Sequence, residues 1–382
     1  MIRDQETINQ LVGLVERFVR ERLVPNEKKL EEEAKLPEDI LQEMKSLGLF
    51  GLTIPEEYGG LGLTMEEEIL IAIALGRTSP AFRSIMGTNN GIGSAAIMFN
   101  GSEEQKQKYL PRYASGEWIS CFCLTEPEAG SDAASLKTNA RREGDHYILN
   151  GTKRYITNAI IADTFNVMAR TNPAIQGARG ISSFIVERDT PGITLGPVDK
   201  KMGQAGSMTC DVTFEDCRVP SENLIGEEGE GFITAMKVLD RGRLHISGVS
   251  AGVAERLIAD ALDYALQRKQ FGKPIAEQQL IQAMLADSQT ETYAAKCMTL
   301  ETARQRDKGE NVSTESSACK LFATEMVGRV ADRAVQIHGG AGYMSEYAVE
   351  RFYRDVRLFR LYEGTSQIQQ IIIARNMIKG AS

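Results

Sequence analysis

Five short runs carry side chains able to do chemistry. At 121–132 the chain reads CFCLTEPEAGSD, a strand-like run entering a turn rich in Pro, Gly and Ser. Such a turn offers backbone N–H groups, hydroxyls and little bulk, which suits a polar cofactor edge or an anionic ligand, although an ordinary strand-ending turn also accounts for it. KRYITN at 153–158 sets an aromatic ring before a β-branched residue and a hydroxyl, a combination able to cover a flat ring and bond its edge. RKQFGKPI at 268–275 puts cations, an amide and a phenyl ring at the end of a helical run. QIHGGAGY at 336–343 is a helix end opened by glycines, and YEGTSQIQ at 362–369 places an acid before Gly and Thr. Singly each has a plain reading: Arg268 and Lys269 complement a helix C-terminus, and Glu363 is a helix N-terminal acid.

Other chemistries lack their residues. There is no G-x-G-x-x-G, no G-x-x-x-x-G-K-[ST] and no H-E-x-x-H, and the three histidines are far apart in sequence. Cys121 and Cys123 share a strand face but have no second cysteine or histidine pair, so packing is expected and a metal site is not. Gly248-Val249-Ser250-Ala251-Gly252 matches G-x-S-x-G, yet it opens a helical pattern where a nucleophile elbow needs a strand and a sharp turn. Close helix packing is the expected use of those small residues.

The elements that must position these runs divide by proline placement. Of 11 prolines only Pro274 follows Pro220, which frees the last third for long helices. Val327, Val330, Ala331, Ala334 and Ile337 form one helical stripe there, and Ile258, Leu262, Ala265 and Leu266 another. In Cys210–Cys217 the period falls to two, as on a half-buried strand, and the segments at 147–149, 165–169 and 181–186 read alike. The first 118 residues return to helical patterning, interrupted at Pro25, Pro37, Pro55 and Pro80. The expectation is an α+β multi-domain chain with a helical domain at 1–118, a β domain at 119–230 and a helical domain at 231–382.

Composition limits the partners. With 42% apolar and 25% charged residues in 382, disordered, collagenous and coiled-coil classes are excluded. A net charge of −8 has the wrong sign for a general nucleic-acid binder. Six dispersed cysteines suit a reducing compartment. The N-terminus lacks an apolar signal core and no run is long enough to span a membrane, so a cytoplasmic protein is expected.

Taken in order and spacing, GLTIPEEYGGLG at 51–62, LTEPEAGSD, ITN, MKVLDRGR, RKQFGKPI, QIHGGAGY and YEGTSQIQ resemble the acyl-CoA dehydrogenase family over nearly the whole chain. The resemblance implies an N-terminal helical domain, a central antiparallel β domain and a C-terminal four-helix bundle, assembled as a homotetramer. It implies FAD as cofactor, an acyl-CoA substrate, an electron-transfer flavoprotein as acceptor, and a place in fatty-acid β-oxidation. By similarity, Phe122, Leu124, Thr125, Gly130 and Ser131 lie along the isoalloxazine and its phosphates, and Tyr155, Ile156 and Thr157 at the ring edge and face. Arg268, Gln270, Phe271, Gln279, Gln336, Gly339 and Gly340 match positions that reach the dinucleotide of a neighbouring subunit, and Thr365 and Gln367 close the site.

Glu363 matches the family's catalytic base, which removes the α-proton beside the thioester as the β-hydrogen leaves as hydride. Some members place the base just before the arginine of the 239–243 helix; that position here is Gly242. Asp240 and Arg243 match residues at the pantetheine and acyl mouth, and Ser131 also reaches the CoA chain by similarity; helix-to-helix pairing of Arg243 is an equal reading. FRSIM at 82–86 is similar to the stretch of glutaryl-CoA dehydrogenases whose arginine and serine hold the distal carboxylate, which singles out Arg83 and Ser84. Gly76 stands where that subfamily has a pocket glutamate. A short-chain acyl-CoA is therefore the expected substrate. The alternatives are a glutaryl-type polar tail, an acyl-CoA oxidase and, remotely, a nucleic-acid-binding flavoprotein.

Overall fold

A computed structural model describes residues 1–381. The helices before the sheet are α1 (Gln5–Phe18), α2 (Glu27–Glu33), α3 (Glu38–Ser46), α4 (Met65–Gly76), α5 (Pro80–Asn90), α6 (Ala95–Asn100) and α7 (Glu103–Ser115). Pro80 opens α5 instead of breaking a helix: it occupies the first turn, where no N–H is needed, and the Ser79 hydroxyl accepts from Ala81 N. Eleven of the twelve residues of α4 are buried, because it lies between the N-terminal helices and the C-terminal bundle.

The β domain contains β1 (Ser120–Cys123), β2 (Asn139–Glu143), β3 (His146–Thr157), β4 (Thr164–Arg170), β5 (Ile181–Glu187), β6 (Ile193–Leu195), β7 (Thr209–Pro220) and β8 (Leu224–Ile225). They form one sheet in the order β6-β7-β3-β2-β4-β5-β8, with β1 added beside β4. The expected antiparallel pairing dominates; β1 with β4, and a single residue pair of β2 with β4, run parallel. The period-two reading holds on β7, where Cys210, Val212 and Phe214 are buried between more exposed neighbours. Irregular register against β7 falls between Lys153 and Ile156 on β3, and Tyr155 there has φ of 58°. Such a bulge re-aims the strand end that carries the ITN residues.

The last third is α8 (Gly231–Gln267), a short hairpin of β9 (Lys269–Gln270) and β10 (Lys273–Pro274), α9 (Gln279–Asp307), α10 (Ser313–His338), α11 (Ala348–Val356) and α12 (Ser366–Ala381). α8, α9 and α10 pack on one another and α12 on α10. The stripe from Val327 to Ile337 is wholly buried, whereas Leu262 and Leu266 are exposed, so only part of the second stripe faces the core. The G-x-S-x-G run lies inside α8 as a packing surface. A Cβ on Gly252 would meet Ile73 O at 2.0 Å, and Ser250 Oγ donates to Ile246 O at 2.8 Å in the buried interior.

Candidate functional site

A cavity of about 70 Å³ opens where the three regions meet. α4 contributes Glu68; α5 contributes Arg83, Ser84, Gly87 and Thr88; β3 contributes Thr157; α8 contributes Arg241, Gly242, His245 and Ile246; Tyr362 and Glu363 enter from the loop before α12. Asn158 fixes β3 against α5: its Nδ2 donates to Ser84 O and Ile85 O, both at 3.2 Å, and to Thr88 Oγ1 at 2.9 Å. Thr157 and Arg83 are thereby held in one frame.

Glu363 is presented by strained backbone. It has φ of 56° and is followed by Gly364 at 85°, two consecutive left-handed residues. For a non-glycine residue that costs on the order of 1–3 kcal/mol, so the surroundings must fix it. They do: Gly364 O accepts from Lys320 Nζ at 2.7 Å and from Gln369 Nε2 at 3.0 Å, and Glu363 O accepts from Gln369 Nε2 at 3.1 Å. The Glu363 Oε2 atom is buried and has no hydrogen-bond partner. Burial pushes the Glu363 carboxyl above the usual range, against the opposing charges of Arg83, Arg243 and Lys320. A carboxyl raised in this way, unpaired and facing a cavity, has the properties of a general base.

The cations acting on Glu363 are Arg83, Arg243 and Lys320. Lys320 is fully buried, and burial lowers its ammonium to about 8 in spite of Glu363. Asp240 and Arg243 pair with each other one helical turn apart on α8, while Arg243 Nε is buried without a partner. Ser84 Oγ is already bonded to Ser207 Oγ at 2.7 Å. Gly76 is not at the cavity; it sits in the α4–α8 contact, where a Cβ would meet Val249 O at 2.5 Å.

A second acid at the cavity is Glu68, and nothing in its sequence setting singled it out. In the run Glu66-Glu67-Glu68 it reads as one more acid in the first turn of a helix. In the fold it accepts from Arg241 Nη2 at 2.7 Å and contacts His245 Nδ1 at 2.8 Å. Burial alone would raise its pKa, but Arg241 and His245 outweigh it and hold the carboxyl down at about 2. His245 is pushed below the ordinary imidazole value, chiefly by burial and further by Arg83 and Arg241, so its ring is neutral at pH 7. The spacing of 241 and 245 is the one signal that could have paired them, since i and i+4 share a helix face.

The turn at 125–131 is pinned from behind. Glu126 accepts from Lys137 N at 2.6 Å, Thr138 N at 3.0 Å and Lys153 Nζ at 2.8 Å. Burial opposes ionisation of Glu126, and Lys153 with the two amides overrides it. Gly130 and Ser131 are left exposed at the surface, with Thr125 half-buried beneath them. Phe122 is half-buried and Leu124 buried behind the turn, while the Ile156 side chain lies in the β core and its carbonyl accepts from Ala159 N at 3.4 Å. Tyr155 is 60% exposed. Thr365 Oγ1 accepts from Ile368 N at 3.3 Å, capping α12, and Gln367 is exposed.

The remaining predicted residues lie elsewhere. Arg268, Gln270, Phe271 and Gln279 cluster at the α8–α9 turn, and Gln336, Gly339 and Gly340 end α10 beside it, where Tyr264 stacks on His338 at 4.3 Å. All seven are exposed. Along α8 the 26 residues from Gly242 to Arg268 span about 39 Å, so this group does not join the Glu363 cavity within one chain. Phe271, 94% exposed at a tight hairpin tip with φ of 55°, has no apolar cover. Among the described residues no three metal-ligating side chains converge, and no helix is long and apolar enough to cross a membrane.

Comparison with known proteins agrees with this architecture. The acyl-CoA dehydrogenase N-terminal, middle and C-terminal domain models match residues 5–117, 121–217 and 229–378. The chain is 41% identical to an acyl-CoA dehydrogenase of Bacillus subtilis, over 96% of this chain and 97% of that one. It is also 41% identical to the caffeyl-CoA reductase–Etf complex subunit CarC of Acetobacterium woodii, over 92% of each. The solved butyryl-CoA dehydrogenase of Megasphaera elsdenii superposes with a TM-score of 0.95 at 34% identity, covering 99% of this chain and 100% of that one. The family is FAD-dependent, and the hydroxyl-bearing turn at 125–131, the exposed Tyr155 ring and the Arg- and Gly-bearing bundle end fit a flavin dinucleotide. With all three domains matched, and helical, β and helical regions in that order around a buried glutamate, the chain belongs to the acyl-CoA dehydrogenase family, oxidoreductases acting on CH–CH bonds.

Proposed function

We propose that the protein interconverts a short-chain acyl-CoA and its trans-2-enoyl-CoA, with Glu363 as the base that takes the α-proton. The observation that carries this reading is the buried, unpartnered Oε2 of Glu363 facing a cavity shared with Thr157. When bound, FAD supplies the acceptor for the β-hydrogen, which leaves as hydride. Phe122, Leu124, Thr125, Gly130, Ser131, Tyr155, the Ile156 main chain and Thr157 are proposed to hold it, with Thr365 and Gln367 closing the site. The roughly 39 Å along α8 support a second copy supplying its Arg268, Gln270, Phe271, Gln279, Gln336, Gly339 and Gly340, in an oligomer proposed to be a tetramer. Asp240, Arg243 and Ser131 are proposed to receive the CoA chain.

The cavity is small, about 70 Å³, which favours a short acyl chain over a long one. A second reading, a dicarboxylic tail on Arg83, draws on the buried and unpartnered Arg83 Nε. Proton transfer through Glu363 serves either direction, so the electron partner sets the direction. An electron-transfer flavoprotein is the proposed partner, in keeping with the Acetobacterium relative's name. The test is anaerobic titration of the holoenzyme with butyryl-, isobutyryl-, glutaryl- and palmitoyl-CoA, following loss of flavin absorbance. Bleaching by a short ester and none by palmitoyl-CoA is expected; bleaching by palmitoyl-CoA alone, or by none, contradicts it.

A further inference from the structure

We infer that the acyl tail accepted by this cavity ends in a hydroxyl group, which donates to His245 Nε2 and accepts from the Arg83 guanidinium. The inference rests on the acyl-CoA reading above and goes past it to the class of tail. Besides Glu363 Oε2, three polar atoms of residues lining the cavity are buried and without partners: the Tyr362 hydroxyl, His245 Nε2 and Arg83 Nε. The Tyr362 hydroxyl can both donate and accept, whereas His245 Nε2 and Arg83 Nε have opposite needs. Glu68 is ionised, so the His245 Nδ1 that contacts it at 2.8 Å carries the ring proton, and Nε2 of the neutral ring is a bare acceptor. Arg83 has only donors to offer.

An aliphatic tail would satisfy neither atom and would seal both from water. A carboxylate would answer Arg83 but set its own lone pairs against that of His245 Nε2. Protonating the ring to relieve this is opposed by burial and by Arg83 and Arg241. Arg83 also already faces the charge of Glu363, and Glu68 pairs with Arg241, so the charged side chains lining the cavity are balanced before any ligand enters. A hydroxyl is at once donor and acceptor, small and uncharged, and answers all three conditions. Sites built to bond a substrate hydroxyl discriminate strongly against the analogue without it.

The test is stopped-flow flavin bleaching of the holoenzyme with two matched pairs, butyryl- against 4-hydroxybutyryl-CoA and pentanoyl- against 5-hydroxypentanoyl-CoA, with glutaryl-CoA beside them. The wild type is expected to favour the hydroxylated member of at least one pair by tenfold or more in kcat/KM. His245→Leu is expected to bring that ratio near one, and His245→Gln, which keeps an acceptor, to preserve it. If the Leu variant does not retain flavin, the wild-type ratio and the Gln variant decide. A wild-type ratio near one in both pairs, glutaryl-CoA as the fastest substrate, or a preference that survives His245→Leu overturns the inference. A ratio near one with butyryl-CoA still bleaching leaves the dehydrogenase reading standing; no bleaching by any ester removes both.

Discussion

Gly242 leaves open the space that the Glu363 carboxylate fills. A Cβ built at 242 would lie 2.5 Å from Glu363 Oε2 and 2.9 Å from its Cδ. The two positions, 121 residues apart, therefore address one point in the cavity, and the glycine on α8 is the condition for a glutamate on the loop.

Gly242→Ala follows directly. The methyl would displace the carboxylate, which is the flexible end of its side chain, so the fold and flavin content are expected to survive while kcat/KM drops by about 10- to 100-fold. Steady-state kinetics beside the flavin-to-protein absorbance ratio checks this; full activity would show that the carboxylate position is not critical.

Lys320 acts on Glu363 in two ways, holding Gly364 O at 2.7 Å and opposing the rise of the Glu363 pKa by its charge. In Lys320→Met the carboxyl pKa rises further. Glu363 must be ionised to accept a proton, so the acid limb of the kcat/KM profile moves to higher pH and activity on that limb falls several-fold. A lowered plateau with an unmoved limb would leave Lys320 only its hold on the loop.

Asp355 joins the bundle to the β domain, accepting from Gln204 N, and its Oδ2 is buried and unpartnered. Burial pushes its pKa up to about 7. Below about pH 4 the group is protonated folded or unfolded. Between about 4 and 7 only the folded state keeps the proton, so this group's contribution to stability falls as pH rises, then levels off above 7. In Asp355→Asn that loss is absent, so the variant's stability relative to wild type improves by about 2–3 kcal/mol from pH 5 to pH 8. Denaturant melts at both pH values measure it, and a pH-independent difference would refute it.

Much of this was legible in the sequence because local rules and tertiary packing agree. Val327 to Ile337 and Cys210 to Phe214 lie where period and burial place them, and Gly248 and Gly252 serve packing, as their helical setting required. The runs at 153–158 and 362–369 do converge, with Thr157 and Glu363 on one cavity. What stayed hidden depends on contacts between distant segments. Glu68 and His245 are 177 residues apart and meet only because glycines let α4 and α8 approach closely. Lys320 appears as one cation on a helix until the fold places Gly364 O against it. Leu262 and Leu266 misled in the opposite sense: their apolar spacing reads as a buried face, yet both are exposed in the folded chain.

Glu363 is proposed as the proton acceptor, and single-turnover kinetics of Glu363→Gln put this to the test. The variant should purify with its flavin and bind the acyl-CoA, while anaerobic bleaching by a substrate that bleaches the wild type slows by ~1,000-fold or more. Bleaching at the wild-type rate would remove Glu363 from the chemistry.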